Sequence, residues 1–233
     1  MQLLENILAQ RKQFTHIHRE ITDELEQVNT ETGRYYKTPT GLLYPSVTSV
    51  TGLMGRDAII AWRKRVGEEE ANRVSSKATR RGTRIHQLCE DYINGAEVDI
   101  SKYSITDADS FKPIKKILDH YVDNVHLQET RLYSDYLEMA GTVDCIAEYA
   151  GKLAVIDFKT ATKAKNREYI LNYFCQATAY AIMYEERTGI PVPNIVIIIS
   201  VDDDLPQVFT DKRDYYVKPL LEIRTKYKQE YGF

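Results

Sequence analysis

The stretch "GTVDCIAEYAGKLAVIDFK", residues 141–159, decides the fold. Two runs rich in apolar and β-branched residues, "TVDCIAEY" and "KLAVIDFK", meet at Ala150-Gly151, a two-residue connection that antiparallel strands can use. In that register Tyr149 opposes Lys152, Ala147 opposes Ala154 and Asp144 opposes Asp157. Opposed side chains share a face with Cβ atoms about 4.5–5.5 Å apart, and Lys159, two residues beyond Asp157, joins them. A four-residue loop on the same centre keeps this pairing, whereas an odd loop slips it by one and separates the charges. Two facing carboxylates repel unless one is protonated or a cation lies between them. A divalent cation that favours oxygen ligands, magnesium or manganese, resolves the conflict, and beside a lysine it can clamp a phosphate and activate water. The alternative is a purely structural hairpin in which Lys159 neutralises one acid.

Working outward, the period of two predicts strands near 130–137, 142–149 and 153–159. A helix follows in "EYILNYFCQATAYAIMYEERTG", closed by Gly189, then a buried strand in "NIVIIISV", residues 194–201, and a last helix near 213–229. Upstream, helices dominate to about residue 125, with Thr106 or Asp107 as a cap for the helix that includes "FKPIKKILDHYVDNV". "GRYYKTPTGLLYPSVTSV" reads as a hairpin followed by a helix start near Ser46 or Thr48. Ile7, Phe14, Ile21 and Val28 recur every seven residues, which predicts an amphipathic helical arm over residues 1–30 ahead of a domain at 31–233. Helices before a small sheet and a helix inserted between its strands predict an α/β (α+β) sandwich, with a central mixed sheet flanked by helices and a helical N-terminal region.

A chain of 233 residues with 43% hydrophobic content can bury one sizeable core. No run approaches a membrane span, and "MQLLENILAQ" lacks a secretory leader pattern, so a soluble protein of a reducing cytoplasm is expected. Cys89, Cys145 and Cys175 are odd in number and widely spaced, which argues against a disulfide framework, a zinc knuckle or a four-cysteine iron–sulfur cluster. The formal charge of -3 hides one lopsided window, "RVSSKATRRGTR", whose Arg73, Lys77, Arg80, Arg81 and Arg84 have no acid among them. Such a window is either a solvated helix face or the footprint of an anionic ligand.

"GTVD" followed by "VIDFK" resembles the paired motifs of the PD-(D/E)xK nuclease superfamily, although Val143 stands where the pattern has proline. "RRGTRIHQLCEDYINGAEV" is similar to the GTxxHxxxE motif of the RecB-type branch, and "NYFCQATAY" to its QxxxY motif, all in the family's order. Within that branch "YPSVTSVTGLM" and "AIIAWRKRVGEEEAN" resemble the subgroup of mitochondrial genome maintenance and phage exonucleases. The resemblance implies a restriction-endonuclease-like core and a magnesium- or manganese-dependent deoxyribonuclease. It implies an exonuclease preferring single-stranded DNA or free ends, serving replication, recombination or repair in the cytoplasm of a bacterial or phage-infected cell. By the same resemblance His86, Asp144, Asp157 and the backbone carbonyl of Phe158 hold the metal, while Lys159 positions the attacking water. Glu90, four residues after His86, binds either a second metal or only a metal-bound water. Gln176 and Tyr180, also four apart, orient Lys159 or touch the phosphate. The basic window from Arg73 to Arg84 then tracks a phosphate backbone, and Tyr35, Tyr36 and Tyr44 stack on unpaired bases. His16, His18, His120 and His126 are expected to be ordinary hydrogen-bonding histidines. A structure-specific or nicking endonuclease and a non-catalytic DNA-end-binding factor are the competing readings.

Overall fold

A computed structural model describes residues 2–17, 21 and 24–232. Its centre is a five-stranded sheet in the order β4-β5-β6-β7-β8, formed by Val122–Ser134, Met139–Tyr149, Lys152–Ala161, Asn194–Val201 and Gln207–Lys212. β4, β5 and β6 form an antiparallel meander, and β7 runs parallel to β6. The crossover between those two is α6, Leu171–Thr188, which ends on Gly189 at φ 72°, a left-handed cap that suits glycine. β8 pairs antiparallel with β7 and was not read from the sequence. Its exposure alternates along an edge position, so only every second residue meets the core.

Both faces of the sheet are covered, which is why β7 is a continuous apolar run. Ile195, Ile197 and Ile199 join α6 and the terminal helix α7, Val217–Tyr231, in one core. Val196 and Ile198 face the other core, which holds α5, Ile105–Tyr121, and the second half of α4, Glu68–Ile93. The cap of α5 is Ser104 in a reciprocal capping box with Asp107, not Thr106 or Asp107 itself. Along α4, Ile85, Leu88, Cys89, Tyr92 and Ile93 are buried at helical spacing, whereas residues 72–80 are exposed. The basic window therefore lies mostly on the stretch of α4 that projects beyond the core.

Ahead of these elements, β1, β2 and β3 (Glu26–Thr30, Gly33–Lys37 and Leu43–Pro45) form a separate antiparallel sheet. α2, Val47–Gly52, starts at Ser46, whose side chain accepts from the Ser49 N–H at 3.0 Å, as the sequence led one to expect, and α3, Arg56–Val66, links it to α4. The long N-terminal helix is corrected. α1 spans only Gln2–Ala9 and packs Leu4 and Ile7 into the second core, residues 11–15 belong to no helix or strand, and Val28 lies in β1. A seven-residue recurrence of single apolar residues also fits a chain that touches the core at intervals. The parts of that reading at residues 1, 18–20 and 22–23, which include His18, lie outside the described residues. Among the described residues no helix is long and apolar enough to cross a membrane.

Tyr35 and Tyr36 are corrected as well. Their relative exposures of 0% and 1% leave no ring face for a base. The Tyr35 hydroxyl meets Tyr227 of α7 at 3.3 Å, and Tyr36 packs with Leu25, Tyr44, Tyr133 and Ala140. Aromatic residues in this hairpin seal the small sheet against the large one.

Candidate active site

The β5–β6 hairpin has the register expected from its turn. Tyr149 pairs with Lys152 and Ala147 with Ala154, and the connection has φ 49° at Ala150 and 72° at Gly151, the two positive values a type I′ turn needs. Pairing ends at Cys145–Ile156, one step before the two aspartates. Asp144 reaches across the gap instead, and its Oδ2 accepts the Phe158 backbone N–H at 2.8 Å. Asp157 is 1% exposed, and neither of its carboxylate oxygens accepts a hydrogen bond. Lys159 Nζ stands 2.5 Å from Asp157 Oδ2, an ion pair by distance that lacks hydrogen-bonding direction. Burial first, and then Asp144, push the Asp157 carboxyl up to about 6 against the pull of Lys159. For Lys159, burial opposes the charge, but Asp157 and Asp144 outweigh it and raise its pKa.

α4 supplies the other wall. His86 Nδ1 lies 3.5 Å from Asp144 Oδ2, and the imidazole stands edge-on to Phe158 with ring centroids 6.3 Å apart. Glu90 accepts from Gln87 Nε2 at 3.1 Å; burial first, then Asp91, raise its pKa. His86 and Glu90 line an open depression of about 370 Å³ together with Gly82, Thr83, Gln87 and Glu129.

Glu129 was not found from the sequence. Its place in β4 is bracketed by the pairs Gln128–Cys145 and Thr130–Val143, which sets it opposite Asp144. One donor atom from each of His86, Glu129 and Asp144 lies within 4.8 Å of the others. The Glu129 residue as a whole is exposed, yet the protein around its carboxyl, then Asp144 and Glu90, raise that carboxyl to about 8. Extending the strand one residue before the expected start at 130 and continuing its pairing with β5 would have set it opposite Asp144. A nitrogen donor, the converging carboxylates of Glu129 and Asp144, and the buried Asp157 carboxylate beside them form a donor set that fits a divalent cation.

From α6, the structure pairs Gln176 with Tyr180 and sets Tyr180 against the first motif. A Cβ added to Gly141 would lie 2.8 Å from the Tyr180 hydroxyl, so the glycine of "GTVD" makes room for the tyrosine of "QATAY". The ring against Lys159 is Tyr173, with Nζ 5.3 Å from its centroid, a partner the sequence reading missed. Tyr180 is 2% exposed and supports the site from within the core; the expected contact with DNA does not fit that burial.

The five basic residues of α4 divide by partner. Arg81 donates to Ser200 and pairs with Asp202 at 2.8 Å, and Arg84 pairs with Asp107 at 2.8 Å, so both tie α4 to the core. Arg73 pairs with Glu70 at 2.7 Å. Lys77 and Arg80 are exposed on the projecting part of the helix. His16 meets the Ile93 carbonyl at 3.1 Å and His126 the Tyr184 hydroxyl at 2.7 Å, as ordinary hydrogen-bonding histidines do.

No protein-family model matches the chain. It is 27% identical over 155 residues to mitochondrial genome maintenance exonuclease 1 of Homo sapiens, covering 62% of this chain and 44% of that one. To the protein of the same name from Mus musculus it is 27% identical over 176 residues, 70% of this chain and 51% of the other. The Xenopus tropicalis protein is 26% identical over 154 residues. The chain spans about half the length of these curated relatives, or somewhat less. The similarity thus relates this chain, over part of its length, to proteins named as exonucleases.

Proposed function

We propose that the protein is a divalent-metal-dependent deoxyribonuclease that hydrolyses phosphodiester bonds, acting as an exonuclease on single strands or free ends. The observation that carries this reading is Asp157. A fully buried carboxylate that faces a second carboxylate, with one lysine for both and no hydrogen bond of regular geometry, is costly in a core unless a cation and an anionic substrate complete it. The partial similarity to proteins named as exonucleases supports the same class.

In this reading Asp144, Asp157, His86 and the Phe158 carbonyl hold magnesium or manganese, with Glu90 at the rim. The cation supplies Lewis-acid stabilisation of the phosphate and lowers the pKa of a water. Lys159, held between Asp157 and Tyr173, points a positive charge at the phosphoryl oxygens as charge builds there. Gln176 and Tyr180 act as positioning residues behind the two strands. Lys77 and Arg80 offer the backbone of the strand its first cations. With Tyr35 and Tyr36 in the core, preference for single strands rests on the family resemblance.

The test is a cleavage time course on end-labelled linear and circular single-stranded DNA, with matched duplexes, in magnesium, manganese or excess chelator. Mononucleotides or short oligonucleotides released from linear strands alone are the expected result. Cuts in circles would make the enzyme an endonuclease, and cleavage in chelator would overturn the metal assignment.

A further inference from the structure

Glu129 stands opposite Asp144 with no sequence motif to account for it. Its backbone is in the left-handed region at φ 43°, a conformation that glycine or asparagine adopts more readily than glutamate. Among the described residues, no hydrogen bond or ion pair reaches its carboxyl. It shares an open depression with His86 and Glu90, so a strained backbone position delivers a further carboxyl group into a place already crowded with acids.

We propose that Glu129 is a cation ligand that completes, with His86 and Asp144, a three-donor subsite for a divalent ion. The proposal rests on the metal-dependent reading above and extends it to a residue outside the recognised motifs. The donor atoms are within 4.8 Å of one another, which one ion can bridge with modest side-chain movement. The neighbouring Asp157 adds an independent sign that the region is built around a cation, because its buried carboxylate faces a second acid, Asp144, and has Lys159 as its charge partner with no hydrogen bond of regular geometry. An imidazole nitrogen with two carboxylates is a mixed donor set, so Mn2+ binds this subsite more tightly than Mg2+.

The test uses the full chain and Mn2+ alone, without DNA. Isothermal titration and the electron paramagnetic resonance signal of free Mn2+ give affinity for the parent, Glu129→Gln, Glu129→Gly and Asp157→Asn. Melting in chelator and in Mn2+ gives stability. Loss of a ligand should weaken Mn2+ binding by about tenfold or more in both Glu129 variants. Glycine accepts the positive φ without strain, so Glu129→Gly in chelator should melt no lower than the parent while responding less to Mn2+. Mn2+ affinity unchanged in both Glu129 variants but reduced in Asp157→Asn would overturn this assignment and leave the metal-dependent reading standing. A parent that binds no Mn2+ would overturn both. Lower melting of Glu129→Gly in chelator, with Mn2+ binding intact in Glu129→Gln, would make Glu129 a structural residue and end the proposal.

Discussion

Replacing Asp157 by asparagine should change how the metal-free protein responds to pH. The carboxyl is raised from the ordinary 3.8 to about 6, by burial first and then by Asp144. With a folded-state pKa above the unfolded one, the folded protein holds the extra proton between those values. The stability tied to this group is therefore complete below about pH 4 and lost as pH rises through about 6. At about 1.4 kcal/mol per tenfold change in proton affinity, that interval corresponds to about 3 kcal/mol. For a chain of this length the effect is on the order of 6–12 °C in Tm. Thermal denaturation of parent and Asp157→Asn in excess chelator, from about pH 4 to 8, reads it as the difference between the two proteins. The difference should move in favour of the variant as pH rises. The Lys159 ion pair forms only as Asp157 ionises, and its pull is already contained in the value of about 6, so its loss adds no separate slope. Magnesium or manganese should cancel the parent's loss, since a cation that binds the ionised pair stabilises the folded state. A parent that gains on the variant as pH rises would refute the reasoning, because that slope belongs to a carboxylate stabilised by its lysine.

Four further outcomes test other parts of the structure. Tyr36→Ala empties a core position and should cost about 3–5 kcal/mol in chemical denaturation, with any loss of DNA binding equal on single and double strands. Lys159→Met should abolish turnover while leaving DNA binding in calcium nearly intact by gel shift; parallel loss of both would make the lysine a phosphate anchor. Gly141→Ala drives a methyl against the Tyr180 hydroxyl and should destabilise by about 1–3 kcal/mol, with Tyr180→Phe recovering part of the loss in a double-mutant cycle. Charge reversal at Lys77 and Arg80 should reduce the salt slope of DNA binding by about two without changing Tm, whereas Arg81→Ala should lower Tm through the lost Asp202 and Ser200 contacts.

Local pattern carried much of the fold. The Ala150-Gly151 turn set the hairpin register, and register alone placed Asp144 and Asp157 on adjacent strands at one end. The apolar run at 194–201 announced a strand covered on both sides, and Gly189 marked the end of the crossover helix. The spacing of His86 and Glu90 put both on one helical face. These features depend on the sequential neighbours of each residue, so sequence by itself determined them. Tertiary structure decided which faces were covered. Tyr35 and Tyr36 have the same pattern whether a base or another sheet lies over them, and only the packing of β2 against Leu25, Tyr133 and Tyr227 buries them. Arg81 and Arg84 look like free cations beside Lys77 and Arg80 until Asp202 and Asp107, distant in the chain, come to meet them. Glu129 lies in the polar run "QETR", where alternation gives no hint of a face, and its backbone leaves the regular strand conformation. Its position opposite Asp144 follows from pairing across the whole β4–β5 meander, a long-range contact that composition and local periodicity do not encode.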